Sequence, residues 1–208
     1  VFGDTSVTQI SAMEGGSVTL NSFFRQIKQD DWIQWRFGKY LLVDTNVTTG
    51  SITVYDDVFD GRFRNRLKLK KQTGYLTITN TTMKHTGNYD LQTINRPIRK
   101  NYFLTVYKDI SVTEGYSVTL NTDQTEISKN DILWKYGTEM KAIAVINRFT
   151  RKFVTSDGHD GRFRNRLKLD NQTGSLTIIK ITKKHAGNYK LLITGEKQLS
   201  KAFRVSVY

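Results

Sequence analysis

Histidines, thiols and clustered carboxylates carry most enzyme chemistry, and this sequence offers few of them. The histidines are His85, His159 and His185, and there is no cysteine. His85 and His185 open two copies of one pattern, His-x-Gly-Asn-Tyr, so they answer to fold before chemistry. No thiol nucleophile exists, and no His-rich spacing suits a metal. No Gly-rich phosphate loop or Gly-x-Ser-x-Gly elbow occurs. The pattern points to a binding protein, not an enzyme, with no cofactor.

Three other sets of residues could act by contact. The first is cationic: Arg62, Arg64, Arg66 and Lys68 recur as Arg162, Arg164, Arg166 and Lys168. On a strand, spacing by two puts them on one side, opposite Phe63, Leu67 and Leu69. Such a ladder suits sulfated glycans or anionic head groups, or else serves as a charged edge that blocks sheet-to-sheet aggregation. No aromatic stacking platform accompanies it, which argues against nucleic acid. The net charge of +13 either attracts acidic partners or keeps the surface solvated.

The second set is Asn46-Val47-Thr48, Asn80-Thr81-Thr82 and Asn171-Gln172-Thr173, three acceptors for N-linked glycan in a secreted protein. They oppose the absence of cysteine, which alone favours a reducing compartment. No run of about 18 apolar residues could span a membrane as a helix, and no signal-type segment opens the chain. The expectation is a cell-surface ectodomain fragment whose anchor lies outside the sequence. An intracellular structural array remains an alternative that would explain the missing cysteines.

The elements that position these residues follow from an internal repeat. Asp60 to Leu69 recurs letter for letter as Asp160 to Leu169, and Ser17 to Asn21 as Ser117 to Asn121. Ile33-Gln34-Trp35 matches Ile132-Leu133-Trp134. The period is a whole domain, giving residues 1–107 and 108–208, with Lys108 and Asp109 as the link. Within each copy apolar residues alternate with polar ones: Val18 and Leu20, Ile33 and Trp35, Leu76 and Ile78. That is the period of half-buried antiparallel strands. Val-x-Leu, Trp, Leu-x-Ile and Gly-x-Tyr then follow in the order of strands B, C, E and F of an immunoglobulin sandwich. Trp35 and Trp134 would fill the cores, and Tyr89 and Tyr189 would be corner tyrosines. The positions of the usual inter-sheet disulfide hold Ser22 with Leu91 and Thr122 with Leu191. About 25 residues after each Trp strand leave room for two extra strands, C′ and C″. The fold class is therefore all-β, two tandem variable-type sandwiches without inter-sheet disulfides.

Ser-Val-Thr-Leu-Asn, Trp-x-Phe/Tyr-Gly and Arg166-Leu167-Lys168-Leu169-Asp170-Asn171-Gln172-Thr173-Gly174-Ser175-Leu176-Thr177-Ile178 resemble the variable domain of the signalling lymphocyte activation molecule family. The tandem arrangement is similar to its fish-type members. In two respects the chain departs from that family. The second domain is another cysteine-free variable-type copy, and His85 and His185 stand where an Asp usually precedes Gly-x-Tyr. Arg62 and Arg162 must then find other acceptors or stay solvated. The resemblance implies adhesion or immune-type recognition through the sheet face of strands G, F, C, C′ and C″, with a surface protein as partner, either another copy or a relative.

The third set follows from alternation on that face. In domain 1 it puts Gln34, Arg36, Lys39, Asp90, Gln92 and Asn101 outward. In domain 2 the equivalents include Leu133, Lys135, Lys190 and Leu192. Two outward leucines mark either a hydrophobic contact or a register slipped by one residue.

Overall fold

The computed structural model describes residues 6–22, 28, 31–95 and 98–208. The chain divides into two compact units, Val1–Val106 and Tyr107–Tyr208. In unit 1 the strands are β1 (Val7–Met13), β2 (Val18–Leu20), β3 (Trp32–Phe37), β4 (Tyr40–Asn46), β5 (Ser51–Val54), β6 (Leu67–Leu69), β7 (Leu76–Ile78), β8 (Gly87–Thr93) and the first part of β9 (Arg99–Val112). In unit 2 they are the rest of β9, then β10 (Val118–Leu120), β11 (Asn130–Tyr136), β12 (Lys141–Asn147), β13 (Lys152–Thr155), β14 (Leu167–Leu169), β15 (Leu176–Ile178), β16 (Gly187–Gly195) and β17 (Leu199–Val207).

Each unit stacks a small sheet on a large one. The small sheets run β2-β7-β6 and β10-β15-β14. The large sheet of unit 1 runs β9-β8-β3-β4-β5, with β1 also on β9; that of unit 2 runs β9-β17-β16-β11-β12-β13. Residues 107–112 of β9 lie parallel to β17, with Lys108 opposite Phe203 and Asp109 opposite Arg204. The two residues read as a link are therefore strand residues of unit 2. The extra strands after each Trp strand are β4 with β5 and β12 with β13.

Alternation decides what is buried. Val18, Leu20, Leu76 and Ile78 from the small sheet meet Ile33, Trp35, Val43 and Leu91 from the large one, all within one core cluster. The second core repeats this with Leu120, Leu176, Ile178, Ile132, Trp134 and Leu191. Trp35 tilts against Tyr102 at 6.0 Å between ring centroids, and Trp134 against Phe203 at 5.7 Å.

A polar tie crosses each core. The Trp35 indole N–H donates to the Gly74 carbonyl at 2.9 Å, and Trp134 to Gly174 at 2.8 Å. Each acceptor sits in the turn joining the last two strands of the small sheet, so the bond links one sheet to the other. Beside it the Ser22 hydroxyl donates to the Thr73 carbonyl, and the Thr122 hydroxyl to Thr173 at 2.6 Å. Ser22, Leu91, Thr122 and Leu191 are all buried. Gly174 lies at φ +74°, and a Cβ there would approach Ile127 and Ile132 at 3.0 Å, so only glycine presents this carbonyl without strain.

Trp134→Phe keeps an aromatic ring but orphans the buried Gly174 carbonyl. It should destabilise unit 2 by about 2–3 kcal/mol. Urea unfolding, followed by the near-ultraviolet signal of unit 2, checks this. An unchanged midpoint would show that the inter-sheet bond contributes nothing.

Candidate functional site

Directly paired residues in a sheet share a face, so the register fixes which side chains point outward. In unit 1 one row runs Arg99–Gln92–Gln34–Asp44–Thr53 across β9, β8, β3, β4 and β5. The next row holds Asn101, Asp90, Arg36 and Leu41. On the other side Trp32 pairs with Asn46, and the Ile94 N–H bonds the Trp32 carbonyl at 2.8 Å.

These side chains are not free rotors. The Asp90 carboxylate, 12% exposed, accepts from Arg99 Nη2 at 3.1 Å and from Gln92 Nε2 at 2.9 Å. Arg36 Nη2 donates to Gln34 Oε1 at 3.1 Å. The Trp32 indole donates to Asp44. The face thus brings together Gln34, Arg36, Asp90, Gln92 and Asn101. Lys39 does not join them, because β3 ends at Phe37 and Lys39 lies in the following turn, its ammonium 5.4 Å from the centre of the Tyr40 ring.

Alternation from named landmarks missed Trp32, Asp44 and Arg99. A signal for Trp32 exists in the sequence. Trp35 and Trp134 match across the repeat, while the third tryptophan has no counterpart and stands three residues before Trp35, hence on the opposite face of the strand. It is 39% exposed, and Ile94 is 51% exposed.

In unit 2 the equivalent row runs Ser200–Leu192–Leu133–Val145–Val154 across β17, β16, β11, β12 and β13. The register is the one alternation gave, so both leucines point outward. Lys135 and Lys190 are directly opposite one another beside this row. Burial, reinforced by the Lys135 charge, pulls Lys190 below the ordinary lysine range.

Two corner tyrosines complete the pattern. Tyr89 donates to the His85 carbonyl at 2.6 Å and Tyr189 to the His185 carbonyl at 2.5 Å, and burial pushes both phenols far above their ordinary range. With buried tryptophan, corner tyrosine and strand order in place, the fold is decided. Each unit is an immunoglobulin sandwich. No protein-family model matches the chain, and no curated protein does. Among solved structures, the CD2-binding domain of CD58 is similar over 97% of this chain and 98% of its own, at 14% identity and a TM-score of 0.43. The first immunoglobulin-like domain of human CD48 is similar over 52% of this chain and 88% of its own, at 17% identity and a TM-score of 0.42. CD84, whose structure addresses SLAM family function, is similar over 49% of this chain and 97% of its own, at 18% identity and a TM-score of 0.40. Values this low add nothing to what the strand order of the immunoglobulin units already establishes.

The cationic ladder is not a strand edge. Residues 61–66 and 161–166 are bends and turns, and regular pairing begins only at Leu67 and Leu167. Asn65 and Asn165, at φ 58° and 57°, reverse the chain and break the alternation. Each arginine finds its own acceptor. Arg62 forks onto Asp60 and reaches the Lys84 carbonyl at 2.6 Å, its guanidinium 3.9 Å from the centre of the Phe59 ring. Arg162 repeats this with Asp160 and Lys184. Arg64 and Arg164 pair with Asp57 and Asp157, while Arg66 and Arg166 donate to the Asn80 and Lys180 carbonyls. An anionic ligand would meet separate, engaged cations. Of the glycan acceptors, Asn80 and Asn171 are exposed in turns, and Asn46 ends β4 opposite Trp32.

His85 and His185 are structural. The Thr82 N–H donates to His85 Nδ1 at 2.8 Å, so Nε2 carries the proton and donates to the Arg62 carbonyl at 2.7 Å. His185 does the same with Thr182 and Arg162. His159 instead lines an open cleft in unit 2 with Tyr136, Arg162 and Arg204.

Burial lowers the pKa of His85 below its usual 6.5, and a second ring proton would face the Thr82 N–H. The unfolded chain therefore takes up a proton before the folded one does. This contribution to stability is intact above about pH 6.5 and is lost as pH falls below it. Unit 1 should lose up to about 1.4 kcal/mol per pH unit there. His85→Gln supplies one acceptor and one donor at similar reach without titrating. In chemical denaturation between pH 7 and 5, it should flatten the slope. An equal slope in both proteins would assign the acid sensitivity elsewhere.

Proposed function

We propose that this chain is a recognition module of the cell exterior, presenting the outward face of the large sheet of unit 1 to a surface protein, either another copy or a related immunoglobulin-type molecule. The carrying observation is the preset polar network on that face. Asp90 is held by Gln92 and Arg99, and Arg36 is held by Gln34, beside exposed Trp32 and Ile94. Side chains already fixed before contact lose less entropy on binding. A tryptophan next to ordered charges supplies the anchor that interfaces favour, while the charges set specificity and encounter rate. The family resemblance in the sequence supplies the class of partner. Asn46 pairs with Trp32, so a glycan there would border the same face.

The test is a binding screen of secreted residues 1–208 against the chain itself and against other surface proteins, with and without Asn46→Gln. Once a partner is found, Trp32→Ala and Arg36→Glu should each weaken binding about tenfold or more, with circular dichroism unchanged. Full affinity in both variants would place the contact elsewhere.

A further inference from the structure

We infer that the outward sheet face of unit 2 is a self-association surface, on which a second copy of this chain docks, apolar row against apolar row, about a two-fold axis lying along Ser200–Leu192–Leu133–Val145–Val154. This goes beyond the reading of unit 1 and does not rest on it.

The row is the first observation. Leu192 and Val154 are 42% and 41% exposed, and Leu133 and Val145 are partly exposed. Each is the direct cross-strand partner of the next, so the four form one continuous strip across four strands. The fold does not require it. The matching row of unit 1 is Gln92, Gln34, Asp44 and Thr53, and that unit closes the same sandwich with a polar surface. An outward apolar strip with no structural task marks a contact.

The charges beside the strip identify the occupant. Lys135 and Lys190 are directly opposed, a like-charge arrangement that costs stability in an isolated sheet. No ion pair among the described residues reaches either ammonium. A carboxylate on whatever covers the strip would relieve that repulsion. On β11, Lys135 lies two residues to one side of Leu133 and Asp131 two residues to the other, each about 7 Å away along the strand. A two-fold axis along the apolar row reverses strand direction. It therefore brings Leu133 and Leu192 over their own counterparts and Lys135 over the Asp131 of the second copy. Asp131 uses Oδ1 to accept the Arg148 N–H at 2.8 Å and has a second oxygen to offer. Lys190 comes over Thr194, which shares the Asp131 cross-strand pair. The surface is thus complementary to itself, as a closed two-fold dimer demands. With only one apolar strip at its centre, the dimer is weak and dissociates on dilution.

Sedimentation of residues 1–208 over a wide concentration range tests this. The expected result is a reversible monomer–dimer equilibrium. In a chain whose unit 1 face is already disabled by Arg36→Glu, Leu192→Glu should leave monomer only. Lys135→Glu and Asp131→Lys should each weaken association about tenfold or more, since each sets like charges face to face. The chain carrying both substitutions should recover to within about threefold of the original, because the two-fold axis pairs each reversed charge with its reversed mate. Monomer at every concentration overturns the inference, as does a dimer indifferent to Leu192→Glu. Failure of the double variant to recover overturns it too, and would point to an acidic partner of a different kind. All three substitutions lie in unit 2, so their outcome is read separately from partner binding through unit 1.

Discussion

The hydrogen bond from a buried indole N–H to a glycine carbonyl in the opposite sheet is the constraint around which each unit is organised. A sandwich without a disulfide has no covalent reason to keep its sheets in one register. Packing supplies cohesion, and a buried donor and a buried carbonyl that must meet add a directional constraint to it. Indole can only donate, so Trp35 and Trp134 need an acceptor. The Thr-Gly turns supply it by turning through positive φ at Gly74 and Gly174. Ser22 and Thr122 bond the preceding carbonyl of the same turns. Small hydroxyl residues thus stand where a cysteine would and tie strand to turn instead of sheet to sheet. With the sheets located, the outward faces follow from register alone.

That dependence explains what the sequence made legible. Strand order, core and register come from period-2 burial and from a repeat that supplies each landmark twice, so alternation correctly turned Leu133 and Leu192 outward. It failed where backbone leaves the extended region. Arg62, Arg64 and Arg66 are spaced as a strand would space them, but Asn65 sits in a left-handed conformation, and nothing in cation spacing reports that. The letter-for-letter recurrence in the second copy doubled the false signal. Lys39 failed for a plainer reason: it stands beyond the last paired residue of its strand. Trp32 was overlooked because landmarks were sought in matched positions, and its meaning lies in being unmatched.

A histidine at positions 85 and 185, rather than an acid, has its own consequence. An aspartate at that place would draw the arginine of the Arg-Phe turn towards it. The imidazole instead bonds the arginine's carbonyl, through Nε2, and leaves the guanidinium to fold back on the acid two residues earlier. Hydrogen bonds from Arg62 hold the Asp60 carboxyl down to about 2. The loop is therefore closed by a local ion pair and a neutral ring. A carboxylate in this position would keep its charge through mildly acidic conditions, whereas the ring has to stay unprotonated to accept the Thr82 N–H.

The two units have matching cores, each its own, and differ on the face those cores do not govern. Unit 1 arranges both signs of charge and pairs them internally; unit 2 sets lysines together beside an apolar strip. Surfaces so unlike suit different partners, and their placement in one chain couples them. Pairing through unit 2 would put two copies of the unit 1 face into one assembly, so that a second contact with a partner-bearing surface becomes intramolecular. Linked weak sites can gain about 10²–10⁴ in avidity without any new contact, provided the geometry allows both to engage. The polar face proposed as the recognition surface of unit 1 would then need no larger apolar anchor. That leaves it free to discriminate by charge.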